Sequence, residues 1–207
     1  MRAFVTGTDT GTGKTYFSCL LLRALRAGGQ PAAGYKPVVC GDRDDAAALQ
    51  AAGEPGIDLE AINPVWLKTP ASPMAAALIE NREIDPGALV AGYHALADRF
   101  PSVIVEGAGG WEVPISAEYS LADLAVALEL PVLVVVDNKL GALNHTLLTV
   151  NAIAARGLDC AGLILNSVSD ERDSASISNR ALLGQLLPDV PVLVELMHGE
   201  TSIALPL

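Results

Sequence analysis

A glycine-rich loop near the N-terminus constrains the fold more than any other feature of the sequence. The loop, GTDTGTGKT over residues 7–15, follows a predicted strand at Ala3–Thr6 and leads into a predicted helix at Lys14–Ala27. Glycines in such a loop let backbone N–H groups turn inward around phosphate oxygens, and the helix N-terminus adds a favourable partial charge. A strand, a loop and a helix in this order predict a P-loop fold with a nucleoside triphosphate site.

The spacing of the loop departs from the usual pattern. The general motif has four residues between its outer glycines, whereas Gly7 and Gly13 enclose five. In a strict alignment, Thr8 takes the place of the first glycine. Lys14 is predicted to reach the β- and γ-phosphates, and the Thr15 hydroxyl to bind Mg²⁺.

Strand and helix patterns alternate along most of the remaining chain. Further strands are predicted at Ala33–Val38, Ser102–Val105, Pro131–Val136, Ala161–Leu165 and Pro191–Val194, and helices at Asp44–Ala52, Pro86–Phe100, Ser120–Leu128, Leu143–Arg156 and Ser174–Leu187. The stretch 53–73 is rich in proline and is predicted to be an excursion over the surface rather than a linker. This alternation predicts an α/β fold, a doubly wound and mainly parallel sheet with helices on both faces. Residues 1–207 are expected to form a single domain.

Composition agrees with such a sheet and excludes several classes of protein. Hydrophobic residues make up 51% of the chain and aromatic residues 4%, so the core is built mainly from Ala, Val, Leu and Ile, which suits strands covered on both faces. A net charge of −11 argues against nucleic acid or an anionic membrane as a partner. No apolar run approaches the roughly 20 residues that span a bilayer.

The cysteines, the histidines and the first residues predict a cytoplasmic protein without a transition metal. Cys19, Cys40 and Cys160 are odd in number and have no C-x-x-C spacing, so they are expected to be reduced thiols. The three histidines are far apart in the sequence and form no ligand pair. The N-terminus has no apolar stretch with a cleavage site, so no signal peptide is expected.

An acidic residue at the end of a buried strand is predicted to belong to the same site. Glu106 follows the apolar run Val103–Val105 and precedes the flexible turn Gly107–Gly110. Ligands bind at the carboxyl ends of the strands in α/β sheets, so Glu106 is predicted to lie beside the phosphate loop and to serve Mg²⁺ directly or through water.

The sequence favours ATP over GTP. Proteins that read guanine commonly carry Asn-Lys-x-Asp after a strand, but from Asn138 the fourth position here is Gly141, so the carboxylate is missing. Asn166, just after a predicted strand, is a candidate for contact with adenine; the alternative role is a helix or turn cap.

Four motifs together resemble the dethiobiotin synthetase family. They are the glycine loop at 7–15, Tyr35–Val38 (YKPV), Val105–Trp111 (VEGAGGW) and Lys139-Leu140-Gly141 followed by Asn144-His145. The likeness runs from residue 3 to about residue 168, and Glu195–His198 loosely resembles the segment that packs near adenine in that family. The five-residue spacing of the glycine loop is the form that this family has.

The resemblance implies roles for individual residues. Lys36 holds a carbamate and, with Lys14 and Thr10, supports catalysis, while Mg²⁺ is served by Thr15, Glu106 and Asp45, with Asp44 as the alternative to Asp45. Cys40 stands where a serine that touches the substrate is expected. Nucleotide contacts are implied for Thr10, Gly11, Thr12, Gly13, Lys14, Thr15, Tyr16, Asp45, Glu106, Gly107, Ala108, Gly109, Asn166 and Ser167. Substrate contacts are implied for Lys36, Cys40, Gly109, Gly110, Leu140, Gly141 and Asn144.

The resemblance also implies the reaction and the partners. A dethiobiotin synthetase carboxylates 7,8-diaminononanoate with CO₂, phosphorylates the carbamate with ATP and closes a urea ring, and it is expected to act as a homodimer whose substrate site lies near the interface. Two other functions fit the sequence less well. An amidating synthetase of the cobyrinic acid type needs a glutamine-hydrolysing domain that 207 residues leave no room for. A switch resembling chromosome-partition ATPases often has a further lysine early in the loop, where this chain has Thr8 and Asp9.

Overall fold

The computed structural model describes residues 1–170 and 173–204. In chain order the elements are β1 (Arg2–Gly7), α1 (Lys14–Ala27), β2 (Ala32–Tyr35), β3 (Val38–Cys40), α2 (Asp44–Ala52), α3 (Leu59–Ile62), β4 (Val65–Leu67), α4 (Pro73–Ile79), α5 (Pro86–Ala97), β5 (Ser102–Glu106), α6 (Leu121–Leu128), β6 (Val132–Asp137), α7 (Ala142–Ala155), β7 (Cys160–Asn166), α8 (Ser174–Leu186) and β8 (Val192–Leu196). The helices α1 and α2 have the bounds that the sequence predicts.

The main sheet has the strand order β2-β5-β1-β6-β7-β8, and every pairing in it is parallel. In β1, β5 and β6 consecutive side chains are buried without alternation, from Ala3 to Gly7 and from Ser102 to Glu106, for example. Since neighbouring residues of a strand point to opposite faces, both faces of the sheet are covered. The predicted α/β fold with a mainly parallel sheet is confirmed.

The order of the strands places a crevice at the centre of the sheet. From β1 the chain passes to β2 at one edge, whereas from β6 it passes to β7 and β8 at the other. Where connections leave in opposite directions, a crevice opens at the carboxyl ends of the strands and is the usual ligand site. The glycine loop after β1, Lys36 after β2 and Glu106 at the end of β5 all belong to this edge.

The prediction of one strand over Ala33–Val38 is wrong beyond Tyr35. The backbone N–H of Lys36 donates to the carbonyl of Ile62 at 2.8 Å instead of continuing the ladder with β5. Pro37 has no N–H to donate, which favours a break at this position. The chain restarts as β3, which pairs with β4 in a separate two-stranded parallel sheet, with Val38 opposite Val65 and Cys40 opposite Leu67.

The predicted excursion over 53–73 contains short regular elements, since α3 and β4 lie within it. The helix α4 that follows was not predicted. Its start carries ordinary signals, since Ser72 is the N-cap and accepts from the N–H of Ala75, and Pro73 occupies the first turn. Within the two described ranges, each helix is too short or too polar to reach across a membrane.

Candidate active site

The glycine loop connects the end of β1 to the start of α1 and is fixed to the sheet. The N–H of Thr8 donates to the carbonyl of Val135 in β6 at 3.0 Å. Gly11 and Gly13 have φ of +76° and +89°, a left-handed conformation that side chains other than glycine rarely adopt. Lys14 Nζ lies over the loop and donates to the carbonyl of Asp9 at 3.0 Å. The loop is therefore a closed cradle with its lysine on the inner side.

Gly7 has no room for a side chain. A Cβ added at Gly7 would lie 2.5 Å from Thr12 Oγ1 and 2.8 Å from the carbonyl oxygen of Asp9. Thr12 is buried and folds back over the end of β1. Only glycine fits at position 7, because the loop packs directly against its backbone. Gly7 therefore does what the first glycine of the usual motif does, although the spacing is five residues.

Four polar side chains, from α1, α2, β5 and the connection after β2, meet beside this cradle. Lys36 Nζ donates to Asp45 Oδ2 at 2.8 Å, to Glu106 Oε1 at 2.6 Å and to the carbonyl of Gly107 at 3.2 Å. The Thr15 hydroxyl lies 2.8 Å from Asp45 Oδ1 and 2.7 Å from Glu106 Oε1. The predicted residues Thr15, Lys36, Asp45 and Glu106 therefore form one connected group.

The position of each member follows from local structure. Thr15 is in the first turn of α1, Asp45 is in the first turn of α2, and Glu106 is the last residue of β5. Asp44, the alternative to Asp45, is exposed and its backbone N–H bonds to Asp42. Of the two neighbouring acids, the one that joins the group is Asp45.

Lys36 and Glu106 are buried charges and depend on one another. Lys36 is 2% exposed and Glu106 is 0% exposed, so neither is solvated by bulk water. Burial lowers the pKa of Lys36, but the nearby Glu106 and Asp45 carboxylates outweigh this and leave that pKa above its usual value. Burial acts to raise the pKa of Asp45, and the Lys36 ammonium outweighs it and holds that pKa below its usual range.

Lys14 is in a different electrostatic position. Burial and the neighbouring Lys36 ammonium lower the pKa of Lys14 to about 8. Its one hydrogen bond in the described structure is to a neutral carbonyl, that of Asp9. The cradle therefore has a cation whose charge lacks a direct anionic partner, as expected for a site that receives phosphate.

A cavity of about 740 Å³ opens in front of these residues. Its polar end is formed by the glycine loop, Lys14, Lys36 and Asp45, and Asp42 also lines it. Its other walls include apolar side chains from β3, from the segment before α4 and the first residue of that helix, and from the connection after β5. They are Val38, Val39, Pro70, Ala71, Pro73, Ala108 and Val113, beside Cys40 and Ser72.

Most of the predicted site residues line this cavity, and some do not. Those in its walls are Thr10, Gly11, Gly13, Lys14, Thr15, Tyr16, Lys36, Cys40, Asp45, Ala108 and Gly109. Glu106 lies directly behind the wall through its contacts with Thr15 and Lys36. Thr12, Gly107, Gly110, Asn166 and Ser167 are outside the walls, and so are the predicted substrate residues Leu140, Gly141 and Asn144, which are exposed.

Sequence reasoning missed the part of the cavity wall that comes from residues 70–73 and from Val113, and it also missed Asp42. A signal for the first existed in the cap of α4, with Ser72 followed by Pro73. No local pattern marks Val113 or Asp42, because they reach the cavity only through the tertiary structure.

The chain is similar to known proteins over nearly its whole length. A family model described as an AAA domain matches residues 1–199. The ATP-dependent dethiobiotin synthetase BioD of Akkermansia muciniphila is 49% identical over 201 residues, which cover 97% of this chain and 94% of that protein. The protein of the same name from Anaeromyxobacter sp. (strain K) is 48% identical over 205 residues, covering 97% of this chain and 91% of that protein.

The chain belongs to the dethiobiotin synthetase family.

Membership of the dethiobiotin synthetase family makes the chain an enzyme of the ligase type, as predicted. A ParA family ATPase from Chlorobium tepidum has a similar structure, with a TM-score of 0.58 over 96% of this chain and 85% of that one, but only 13% sequence identity. That likeness supports the P-loop NTPase fold alone. The family agrees with the resemblance drawn from the four motifs.

Two asparagines near the nucleotide cradle have partners in the protein. Asn138, the residue from which a guanine-reading motif would start, is buried and donates to the carbonyl of Ser176 at 3.2 Å, and its Oδ1 accepts from Asn179 at 2.9 Å. Asn166 Nδ2 donates to the carbonyl of Thr12 at 2.8 Å, so it supports the glycine loop from β7. Asn138 therefore holds α8 rather than facing a ligand, as suits a dethiobiotin synthetase that uses ATP.

A second, smaller cavity of about 230 Å³ lies past the ends of β7 and β8. It is lined by Ser167, Ser169, Asp170, Met197 and His198. The N–H of Ser167 donates to the carbonyl of Leu196 at 2.8 Å, which ties its two sides together. Ser167 and the segment Glu195–His198, which resembles the part of a dethiobiotin synthetase near adenine, thus meet in one place.

The first prediction concerns the glycine loop. Gly7→Ala is expected to weaken binding of a non-hydrolysable ATP analogue by roughly 10- to 100-fold, because the new methyl group collides with Thr12 and with the Asp9 carbonyl. Isothermal titration calorimetry measures this. Gly184→Ala in α8, where nothing lies within 4 Å of the added Cβ, is the control and should bind as the wild type does. Unchanged binding by Gly7→Ala would contradict the close-packing role.

The second prediction concerns the buried charges. Lys36→Met removes the cation that Glu106 contacts and is expected to lower the free energy of unfolding by about 3–5 kcal/mol, as loss of one partner of a buried ion pair does. Adding Glu106→Gln should recover much of this loss, because no unpaired charge then stays buried. Urea denaturation of the two single variants and the double variant measures the coupling. Lys68→Met on the surface is the control, and strictly additive effects would contradict the coupling.

Proposed function

We propose that this chain is an ATP-dependent dethiobiotin synthetase that carboxylates 7,8-diaminononanoate with CO₂, transfers the γ-phosphoryl group of ATP to the carbamate and closes the ureido ring. The observation that carries the proposal is the single cavity in which Lys14 of the phosphate cradle and Lys36 line the same polar end. The identity of 49% to a relative of that name over nearly the whole chain supports it. The products are dethiobiotin, ADP and phosphate.

The cradle is suited to a triphosphate. Inward backbone N–H groups of the loop and the N-terminus of α1 stabilise phosphate charge, and Lys14 reaches the transferred group by leaving the Asp9 carbonyl. Binding of the anion favours the protonated form of Lys14 and so opposes the lowering of its pKa. Thr10 and Tyr16 line the same cavity and are assigned to contact the same ligand.

The residues at the polar end also fit a bound Mg²⁺. Within the described ranges, no three His, Cys, Asp or Glu side chains converge in a way that could hold a metal unaided. Mg²⁺ needs less, since it commonly takes one or two carboxylates and completes its shell with water and phosphate oxygens. Thr15, Asp45 and Glu106 supply hard oxygen donors, and Glu106 Oε2 is buried with no hydrogen-bond partner in the described structure. When bound, the ion would neutralise charge on the β- and γ-phosphates.

The chemistry then needs no nucleophile from the protein. One amine of the substrate adds to CO₂ and loses a proton to give a carbamate, and a carbamate oxygen attacks the γ-phosphorus while ADP leaves. The second amine loses a proton to become a neutral nucleophile and attacks the carbonyl carbon of this mixed anhydride. Phosphate leaves, a second proton is lost from the nitrogen, and the five-membered urea closes. Lys36 is assigned to hold the carbamate in line, because Asp45 and Glu106 fix its ammonium while the longer bond to the Gly107 carbonyl can be exchanged for one to the carbamate.

The apolar wall suits the remainder of the substrate. Val38, Val39 and Pro70 are among the aliphatic side chains that can cover a flexible carbon chain. We further infer that residues 139–144 meet the carboxylate end of the substrate across a homodimer interface. This is supported by the exposure of Leu140, at 79%, and by the place of these residues outside the cavity of their own chain. A cytoplasmic location and a single domain over 1–207 stay predictions.

The third prediction tests the reaction itself. With ATP, Mg²⁺, the diamine and labelled bicarbonate, the protein should release phosphate and transfer label to dethiobiotin in equal amounts. Chromatography of the labelled product and a phosphate assay measure the two. Phosphate release that does not depend on the diamine would contradict the proposal and favour an ATP-driven switch.

The matched variant for this assay is Lys36→Met. Loss of a fixed group that stabilises charge in the transition state typically costs about 10²–10³ in rate, so kcat should fall by that factor. Binding of the ATP analogue should persist, because Lys14 and the loop are unchanged. A variant with the wild-type kcat would remove Lys36 from the reaction.

The fourth prediction concerns the metal. Glu106→Gln should raise the Mg²⁺ concentration for half-maximal turnover at least about tenfold, since even groups that only orient a metal ligand are worth about 10- to 100-fold in affinity. Turnover across a Mg²⁺ titration measures it. Glu118→Gln, an exposed acid of the same connection between β5 and α6, is the control. An unchanged Mg²⁺ dependence in Glu106→Gln would exclude the carboxylate from the metal site.

A further inference from the structure

We propose that Asp42 binds the ammonium form of the substrate amine that does not take up CO₂, and that it thereby selects a diamine over a monoamine. The inference rests on the proposed function and assigns a further residue to the same cavity. Asp42 belongs neither to the glycine loop nor to the connected group of Thr15, Lys36, Asp45 and Glu106. None of the four motifs contains it.

The charges in the cavity wall single out Asp42. Among the described residues that line it, the charged side chains are Lys14, Lys36, Asp42 and Asp45. Asp45 is occupied by Lys36 and Thr15. Asp42 accepts one hydrogen bond, from the backbone N–H of Asp44 at 3.3 Å, and over residues 1–170 and 173–204 no basic side chain forms an ion pair with it. Asp42 is therefore the acid on the wall that keeps free acceptor capacity.

The backbone before Asp42 is held firmly. β3 ends at Cys40, and Gly41 turns the chain with a φ of +91°. The N–H of Gly41 donates to the Leu67 carbonyl at 2.9 Å, and the carbonyl of Gly41 accepts from Trp66 Nε1 at 2.9 Å. The backbone N–H and the carbonyl of Gly41 are thus both bonded to residues of β4. The β3–β4 sheet therefore supports Asp42 at the cavity, which reduces the entropy lost when a ligand binds.

The chemistry of the substrate calls for such a group. Its two amines are on adjacent carbons, and an alkyl amine resembles that of lysine, so it is protonated at neutral pH. One amine becomes an anionic carbamate, which the lysines favour. The other would be a cation near Lys14 and Lys36, and it needs an anionic acceptor to offset that repulsion. Asp42 is a carboxylate in the same cavity.

Asp44 provides a matched control. It is two residues further on, in the first turn of α2, and it is exposed, but it does not line the cavity. Neutralising Asp42 or Asp44 changes the net charge equally and removes one acid near the start of the same helix. A difference between the two variants therefore reports on the cavity.

The experiment compares Asp42→Asn, Asp42→Glu and Asp44→Asn with the wild type. Calorimetry with an ATP analogue and Mg²⁺ present measures the Kd of the diamine and of 7- and 8-aminononanoate, and steady-state assays give KM and kcat. Loss of a hydrogen bond to a charged group is worth roughly 10- to 100-fold, so Asp42→Asn should weaken diamine binding and raise its KM by that factor. One of the two monoamines keeps only the amine that takes up CO₂, and its Kd should stay within about twofold of the wild-type value. The Kd of the ATP analogue should also stay within about twofold. Asp42→Glu should recover part of the loss in diamine binding.

Each result decides the proposal. An unchanged diamine Kd in Asp42→Asn, an equal loss in Asp44→Asn, or equal weakening of the diamine and both monoamines would overturn it. Binding is read without turnover, so the role of Asp42 is decided even if the wild type forms no product. Absence of labelled dethiobiotin from the wild type would instead contradict the proposed function.

Discussion

The structure depends on one interaction, the contact of the Lys36 ammonium with Asp45 and Glu106. Lys36 follows β2, Asp45 lies in the first turn of α2 and Glu106 ends β5. Thr15, in the first turn of α1, contacts both acids. A buried charge without a partner is strongly unfavourable, so Lys36 and Glu106 can be buried only in an arrangement that keeps them in contact. The same arrangement aligns the phosphate cradle with the cavity. Folding and the proposed chemistry thus have a common constraint.

The parallel sheet lowers the cost of burying the charges of Lys36 and Glu106. Its strands are apolar along their length and buried on both faces, so polar groups collect where the strands end. At that edge the glycine loop, Gly107 and the starts of α1 and α2 offer N–H and carbonyl groups to solvate charge without bulk water. Lys36 uses the carbonyl of Gly107 in this way. The cost of burying an ammonium and a carboxylate is therefore offset locally.

The sequence predicts those parts of the fold that have local signals. The bounds of α1 and α2 follow from the glycine loop and from the acidic first turn at Asp44–Asp45, and Glu106 follows from its place after an apolar strand. The β3–β4 sheet was missed because three-residue strands carry no measurable period, and because a parallel pairing links segments distant in the chain. The partners of Asn138 and Asn166 could not be foreseen for the same reason, since α8 and the loop meet them only in the folded chain.

The cavity binds charge at one end, and the cysteine in its wall is not an activated nucleophile. Burial and the nearby Glu80 raise the pKa of the Cys40 thiol, so at neutral pH it is protonated and a poor nucleophile. Burial also raises the pKa of Cys19 and of Cys160 to about 11. A ligase that works through a covalent enzyme intermediate needs an activated nucleophile, and these thiols are not activated. The substrate of the proposed function brings its own nucleophiles, and the cavity offers it a cationic end, the carboxylate of Asp42 and an apolar wall between β3 and α4.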